Sequence, residues 1–343
     1  MKKFVILILS LTIVFSLAAC GRTEGQTASA GSQEDAKLTD VTVILDYVPN
    51  TNHTGMYVAV KNGYYAEEGL NVTIIEPTDL DSNTVVATGS ATFGVTYQED
   101  LTLAVASEDP LPVKAIATLI QHNTSGFVSL AGSGYTSGKD CPSSWEGITY
   151  AGWGGSGEEA VLKAVMIQNG KDPEKLNKVI ADGLGYESLG RACDLMWFFE
   201  AWDCVQAEMG GVELDYIPCS ELDSRLDYYT PILTASSDTI KNDPELIKAF
   251  LRATEKGYLY AIEDPEAAAK ILNEYVPDYD LEMLKKSQDI LAGKYMEGTE
   301  NWGMMTDEVW DNYTEFLVEY GVLSNTVKAS DCCTTEFLPY NNK

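Results

Sequence analysis

Histidine is nearly missing from this chain: His53 and His122 are the two imidazoles in 343 residues. Basic residues are also scarce, with 23 Lys and Arg against 52 Asp and Glu and a formal charge of −29. A field of that sign opposes a polyphosphate, so nucleic acid is not an expected partner. Seven cysteines occur, Cys20, Cys141, Cys193, Cys204, Cys219, Cys332 and Cys333, without a paired CxxC unit. With two histidines to help, they match no zinc spacing, and no metal or other cofactor is expected. The chain also lacks the lysine of a P-loop and the spacing of GxGxxG. Its one long apolar run, from Phe4 to Ala19, is too short for a comfortable bilayer span.

That run follows Lys2 and Lys3, which reads as a secretory signal over residues 1–19. It ends in Leu17-Ala18-Ala19-Cys20, which resembles a bacterial lipobox, so Cys20 is the expected site of lipidation. Two acyl chains on its sulfur would hold the protein at the membrane, where one chain gives marginal binding. Residues 20–39 are polar and poor in aromatic and β-branched residues, and read as a tether. What remains, about 300 residues, suggests two domains of ordinary size. The six cysteines beyond Cys20 could form disulfides in an exported chain or stay as buried thiols, and spacing does not choose.

Residues 41–45, VTVIL, and 70–77, LNVTIIEP, are β-branched runs suited to buried strands. Between them Met56, Val58, Ala59 and Val60 lie on a helical stretch stopped by Gly63 and Gly69. Strand, helix, strand at this length is a right-handed βαβ unit with parallel strands. The pattern recurs with strands at 93–96 and 113–120, and again from 148 onward after a Gly- and Ser-rich change of composition. Beyond about residue 234 helices dominate, each opening on Asp-Pro, at Asp243-Pro244 and Asp264-Pro265, and are expected to pack on the first lobe. The expected architecture is α/β with two lobes, 40–128 plus 234–343 and 129–233, and a ligand cleft between them. Ligands in open α/β sheets bind beyond the carboxyl ends of the strands.

Four stretches should gather at such ends: DYVPNTNH, VTYQED, IQHNTSG and AGWGGSGEE. In DYVPNTNH, residues 46–53, Tyr47 offers a flat face and Asp46 and Asn50 directed hydrogen bonds; the plainer alternative is a self-stabilising Asx turn. His53 stands where a helix begins, which favours a neutral, hydrogen-bonding imidazole over a general base. AGWGGSGEE, residues 151–159, could cradle an anionic or carbonyl group on its free N–H groups, or be a tight strand-to-helix turn. In CDLMWFFEAWD, residues 193–203, Glu200 interrupts an apolar run. A buried carboxylate requires a partner, and an amino-heterocycle stacked on Trp197 or Trp202 would supply one; otherwise Glu200 points to solvent.

Together DYVPNTNHTGMYVAVKNGYYAEEGL, FGVTYQEDL, PVKAIATLIQHNTSG, YAGWGGSGEEAVLKAVM and WFFEAWDCVQAE resemble the thiamine-pyrimidine-binding, NMT1/THI5-like group of ABC-transporter substrate-binding proteins. The resemblance runs from about residue 41 to 320. It implies a type II periplasmic-binding fold closing on a formylated aminomethyl-pyrimidine or hydroxymethyl-pyrimidine. Its implied pocket is Asp46, Tyr47, Asn50, Tyr97, Asn123, Ser156, Glu158, Trp197 and Glu200, and His53 joins these from the residue reading. The implied partners are that aminopyrimidine and an ABC permease with its ATPase, served by a monomer anchored on the extracytoplasmic face of the cell membrane. Tyr47 departs from the family's usual Trp. The related eukaryotic enzymes carry a histidine just after the FGVTY equivalent and a cysteine cluster downstream; here that stretch reads YQEDLTLA, and Cys332-Cys333 is no such cluster. Uptake without bond breaking is therefore expected, not pyrimidine synthesis with iron or a pyridoxal cofactor. Riboflavin and sulfonate or taurine remain alternative ligands.

Overall fold

β-Branched runs become strands, and the breaks between them set the topology. The computed structural model describes residues 37–342 apart from 78 and 182. Cys20, the segment 1–19 and most of the tether lie outside the described residues. Ten strands are formed: β1 (Thr39–Ile44), β2 (Leu70–Ile75), β3 (Phe93–Thr96), β4 (Val113–Thr118), β5 (Ser125–Leu130), β6 (Thr149–Gly152), β7 (Asn177–Ile180), β8 (Leu195–Phe199), β9 (Leu214–Pro218) and β10 (Ile232–Ser236). The first βαβ unit is present: β1, the helix Thr54–Lys61 and β2, with Val41 facing Val72 in a parallel pair.

The strands make two five-stranded sheets, ordered β2-β1-β3-β10-β4 and β7-β6-β8-β5-β9. In the first, β10 runs antiparallel between β3 and β4. A late strand therefore completes the first sheet after the second has been built, and the chain passes between sheets twice, at residues 119–124 and 219–231. The lobe boundaries expected at 128/129 and 233/234 differ from these crossings, since all of β5 lies in the second sheet and β10 begins at Ile232. The Gly- and Ser-rich composition change marks a loop inside the second lobe. At the first crossing, Gln121, Asn123 and Thr124 are polar yet buried and carry no compositional flag.

The helix Pro244–Glu263 opens at Asp243-Pro244 and buries Ile247, Phe250, Ala253, Thr254, Gly257 and Ala261 along one face. That face packs on the helix Thr54–Lys61, where the two backbones approach so closely that a Cβ at Gly257 would lie 1.9 Å from the Gly55 carbonyl oxygen. Only glycine permits this crossing. The helices Pro265–Tyr275 and Leu281–Ala292 also pack with the first lobe's elements. The last long helix, Asp307–Glu319, differs: Tyr313, Phe316 and Leu317 enter the second lobe's core beside Val161 and Leu226, while Trp310 packs with Ile44 and Ile232 of the first.

Candidate functional site

The strand ends decide what faces the cleft. Asp46 follows β1, Tyr97 follows β3, and the turn from Trp153 to Ser156 follows β6. These residues, with Asn83 and Asp100, line a space of about 770 Å³ where the two lobes meet.

Asp46 is the most constrained of them. Its side chain is 2 % exposed, and its Oδ1 lies 2.7 Å from His53 Nε2. The Asn50 N–H donates to His53 Nδ1 at 3.2 Å, so Nδ1 is the unprotonated nitrogen and Nε2–H donates to the carboxylate. The imidazole is neutral and holds the carboxylate in one rotamer. The backbone behind it is clamped in turn, the hydroxyls of Tyr258 and Tyr295 donating to the carbonyls of Asn52 and Thr51, each at 2.7 Å. Burial pushes the Asp46 pKa up, but His53, the Tyr97 hydroxyl and its own backbone outweigh this and the net direction is down. Its second oxygen, Oδ2, has no hydrogen bond within the protein.

Tyr97 is pushed well above the usual phenol range by burial and then by Asp46, and its ring lies 6.1 Å from that of Phe199 across the lobes. Beside it, Asp100 accepts the Gly157 N–H at 3.0 Å and joins the first lobe to the helix Ser156–Gln168 of the second. Burial and the charge of Asp81 raise the Asp100 pKa against the opposing bonds from Gly157 and Ser156. Tyr47 is 54 % exposed, with Asp203 and Tyr279 as neighbours.

Other expected pocket residues are engaged within the protein. Asn50 accepts the Asn52 N–H at 2.8 Å and donates to the Val48 carbonyl at 3.0 Å, forming the Asx turn. Asn123 ties the two crossings together: its Nδ2 donates to the Leu226 carbonyl at 2.9 Å, its N–H donates to Asp227 at 3.0 Å, and its Oδ1 accepts the Ser125 N–H at 2.9 Å. Glu158 fills the Gly-rich turn, accepting from the Trp153 and Gly155 N–H groups at 3.2 Å, from Gly154, and from the Tyr150 hydroxyl. The expected anion cradle is thus occupied by the chain's own carboxylate.

Trp197 lies in the second lobe's core, 5.0 Å from Phe127 and 5.4 Å from Trp153 between ring centroids. Trp153, 41 % exposed, brings an aromatic face to the cleft instead. Glu200 is exposed at the carboxyl end of β8 and is not the buried carboxylate expected. The π-helical turn Glu200–Cys204 leaves Glu200 exposed and Asp203 half-buried, with Asp203 Oδ2 accepting the Phe199 N–H at 2.8 Å. Burial pushes the Asp203 pKa up to about 6 against the backbone bonds that lower it. Trp202 packs between first-lobe helices, 5.0 Å from Tyr279, with no free face. The six described cysteines are all unpaired, and no group of three or more metal-binding side chains occurs among the described residues.

Sequence reasoning missed Ser82, Asn83, Asp100 and Trp153. The loop after β2 ends at a carboxyl edge like the others, and Asp81 opening a helix was a readable cap signal.

Two α/β lobes joined by two crossings, with a cleft at their strand ends, give the chain the two-lobed fold of solved periplasmic binding proteins. Solved structures agree on the fold: a ligand-binding component of an ABC-type import system from Staphylococcus aureus has a TM-score of 0.64 at 12 % identity, covering 87 % of this chain and 97 % of its own. The nitrate-binding protein NrtA of Synechocystis has a TM-score of 0.62 at 16 % identity, covering 88 % and 87 %. The chain belongs to the NMT1/THI5-like family, whose pattern matches residues 50–268. A formylaminopyrimidine-binding protein of Halalkalibacterium halodurans is 30 % identical over 96 % of this chain and 98 % of its own. A hydroxymethylpyrimidine phosphate synthase of Legionella pneumophila is 24 % identical over 87 % and 92 %, and the riboflavin-binding protein RibY of Chloroflexus aurantiacus 24 % over 99 % of each.

Proposed function

We propose that this protein captures an aminopyrimidine precursor of thiamine, in formylated aminomethyl or hydroxymethyl form, and delivers it to an ABC permease without altering it. The observation that carries this is the polarity of the cleft. Its charged lining consists of Asp46, Asp79, Asp81 and Asp100, with no Lys, Arg or His. The N–H groups of the Gly-rich turn and helix start, which would serve a sulfonate or phosphate, are engaged by Glu158 and Asp100. A ligand suited to such walls is flat, donates hydrogen bonds and carries no negative charge.

The ring is taken between Asp46 on the first lobe and the unengaged carboxylate of Glu200 on the second, beside Tyr97, Trp153 and Tyr47. Capture, not synthesis, fits the two imidazoles, since His53 and His122 are each tied to a carboxylate, Asp46 and Asp227. Lipidation at Cys20 after removal of residues 1–19 places the monomer on the outer face of the membrane. Among the described residues no helix is long and apolar enough to cross it.

Calorimetric titration of the full chain with the formylated aminopyrimidine tests this reading. The expected dissociation constant is about a micromolar or lower, roughly 8 kcal/mol. In Asp46→Asn and Glu200→Gln it rises tenfold or more, by about 1.4 kcal/mol each. Undiminished binding in both variants would remove the two-carboxylate site.

A further inference from the structure

We infer that Asn83, with Ser82 beside it, is a specificity-determining residue of the cleft, reading a second N–H donor next to the one that Asp46 takes. The inference deepens the aminopyrimidine reading and rests on it: the ligand must present adjacent donors along one edge, as the amino form of a heterocycle does and its oxo analogue does not.

The helix Ser82–Ala87 opens with Asp81 as its cap, and both Asp81 oxygens are engaged by Thr84, one by the N–H at 3.1 Å and one by the hydroxyl at 2.5 Å. Asp81 is therefore not free to serve a ligand. The next two residues are. Asn83 is 1 % exposed, and its Nδ2 donates to Thr96 Oγ1 at 3.1 Å, which leaves Oδ1 as the free end of the amide. That oxygen has no partner. Ser82, 9 % exposed, likewise has an unpartnered hydroxyl, in a space that exists because position 94 is glycine: a Cβ there would lie 2.4 Å from Ser82 Oγ.

Native chains leave few buried polar atoms unpaired, so each one asks for a reason. Of the unpartnered buried atoms among the described residues, three belong to residues that line the cleft: Asp46 Oδ2, Ser82 Oγ and Asn83 Oδ1. All three stand on the first lobe, after β1 and β2, and each is held by a neighbour, Asp46 by His53, Asn83 by Thr96 and Ser82 by the gap at Gly94. Two of them are obligate acceptors in this arrangement and the third is a hydroxyl that can accept. A wall of prearranged acceptors selects for donors, and rejects a ligand that sets a carbonyl oxygen against it.

The test is calorimetric titration of the full chain with the formylated aminomethyl-pyrimidine and with the same compound carrying an oxo group in place of the ring amino group. Wild type is expected to prefer the amino compound by about a hundredfold or more, as sites built to hydrogen-bond a group do. Asn83→Leu should lose tenfold or more in affinity for the amino compound and narrow that preference, whereas Asn83→Asp, which keeps an acceptor, should stay within about threefold of wild type. Thr96→Val, at a position that also lines the cleft, removes the partner that holds the amide; it should narrow the preference while lowering the thermal midpoint only modestly, the effect of one unpaired buried N–H, and it keeps the test alive if Asn83→Leu does not fold. Wild-type affinity and preference in both Asn83→Leu and Thr96→Val would overturn the inference alone. Failure of wild type to bind either pyrimidine would overturn this inference and the aminopyrimidine reading together.

Discussion

Asp46 and His53 show how a single residue's role depends on what its neighbours have already claimed. A carboxylate at a strand end is legible in sequence, and so is a histidine at a helix start. That the Asn50 N–H selects the tautomer, leaving Nε2–H for Asp46, follows only from the backbone path of the turn. Removing the imidazole in His53→Ala should destabilise the protein by about 2 kcal/mol, the range for a hydrogen bond to a buried charge. Ligand affinity should fall with it, because the carboxylate is no longer held. Denaturant unfolding and titration read the two effects. The folded-state pKa of Asp46 lies below its ordinary value of 3.8. Its stabilisation is therefore present above about pH 4 and is lost as pH falls through the folded-state value, and the His53→Ala variant should lack that acid limb. Asn50 and Glu158 illustrate the opposite case. Their types and positions suggested a ligand, yet their hydrogen bonds close on their own turns, and nothing in residue identity distinguishes a cradle from a carboxylate that fills it.

At the scale of elements, the alternation of strand and helix carried most of the fold. β1, β3 and the helices that open on Asp-Pro stand within a few residues of where β-branched runs and start signals put them. The first crossing between sheets was not legible, because Leu119 and Ile120 read as a continuation of β4 while Gln121, Asn123 and Thr124 are polar by type and buried by context. Asn123 is the central example: a buried amide with three bonds, donating to the Leu226 carbonyl and accepting from the Ser125 N–H and hydroxyl. Asn123→Leu should destabilise by about 2–4 kcal/mol, since it leaves the Leu226 carbonyl and the Ser125 N–H without their partner. Its main effect should be on the hinge. Chemical denaturation gives the stability, and small-angle scattering gives the spread between lobes, which should widen in the variant at unchanged secondary structure. A scattering curve identical to wild type would move Asn123 out of the hinge. The π-helical turn at Glu200–Cys204 was equally hidden: it leaves Glu200 exposed and turns Asp203, half-buried, back onto the Phe199 N–H.

For the whole molecule, the acidic balance read from composition has a local counterpart where the lobes meet. Glu99 is buried between the two lobes, its methylenes against Gly157 of the second, with one carboxylate oxygen unpartnered. The groups around it are Asp100, Asp46, Tyr228, Tyr313 and Cys219, with no cation among them. Burial first and Asp100 second push its pKa well above the ordinary 4.5. For a carboxyl group raised in this way, the folded, closed arrangement is favoured below the unfolded-state value and weakens as pH rises through the interval up to the folded-state value. Glu99→Gln should therefore be more stable than wild type at pH 7, by about 1 kcal/mol or more, and the difference should shrink toward pH 4. Thermal midpoints of the two proteins across that range decide it, and parallel curves would show that Glu99 is not the titrating group.

The ligand proposed for the cleft is a donor-bearing flat ring without negative charge. The most direct test is one calorimetric panel on the full chain: the formylated aminopyrimidine, hydroxymethyl-pyrimidine, thiamine, riboflavin and taurine. A single pyrimidine is expected to bind at about a micromolar or tighter, and taurine to give no heat. Tight binding of taurine, or of riboflavin with silence toward every pyrimidine, would contradict that assignment.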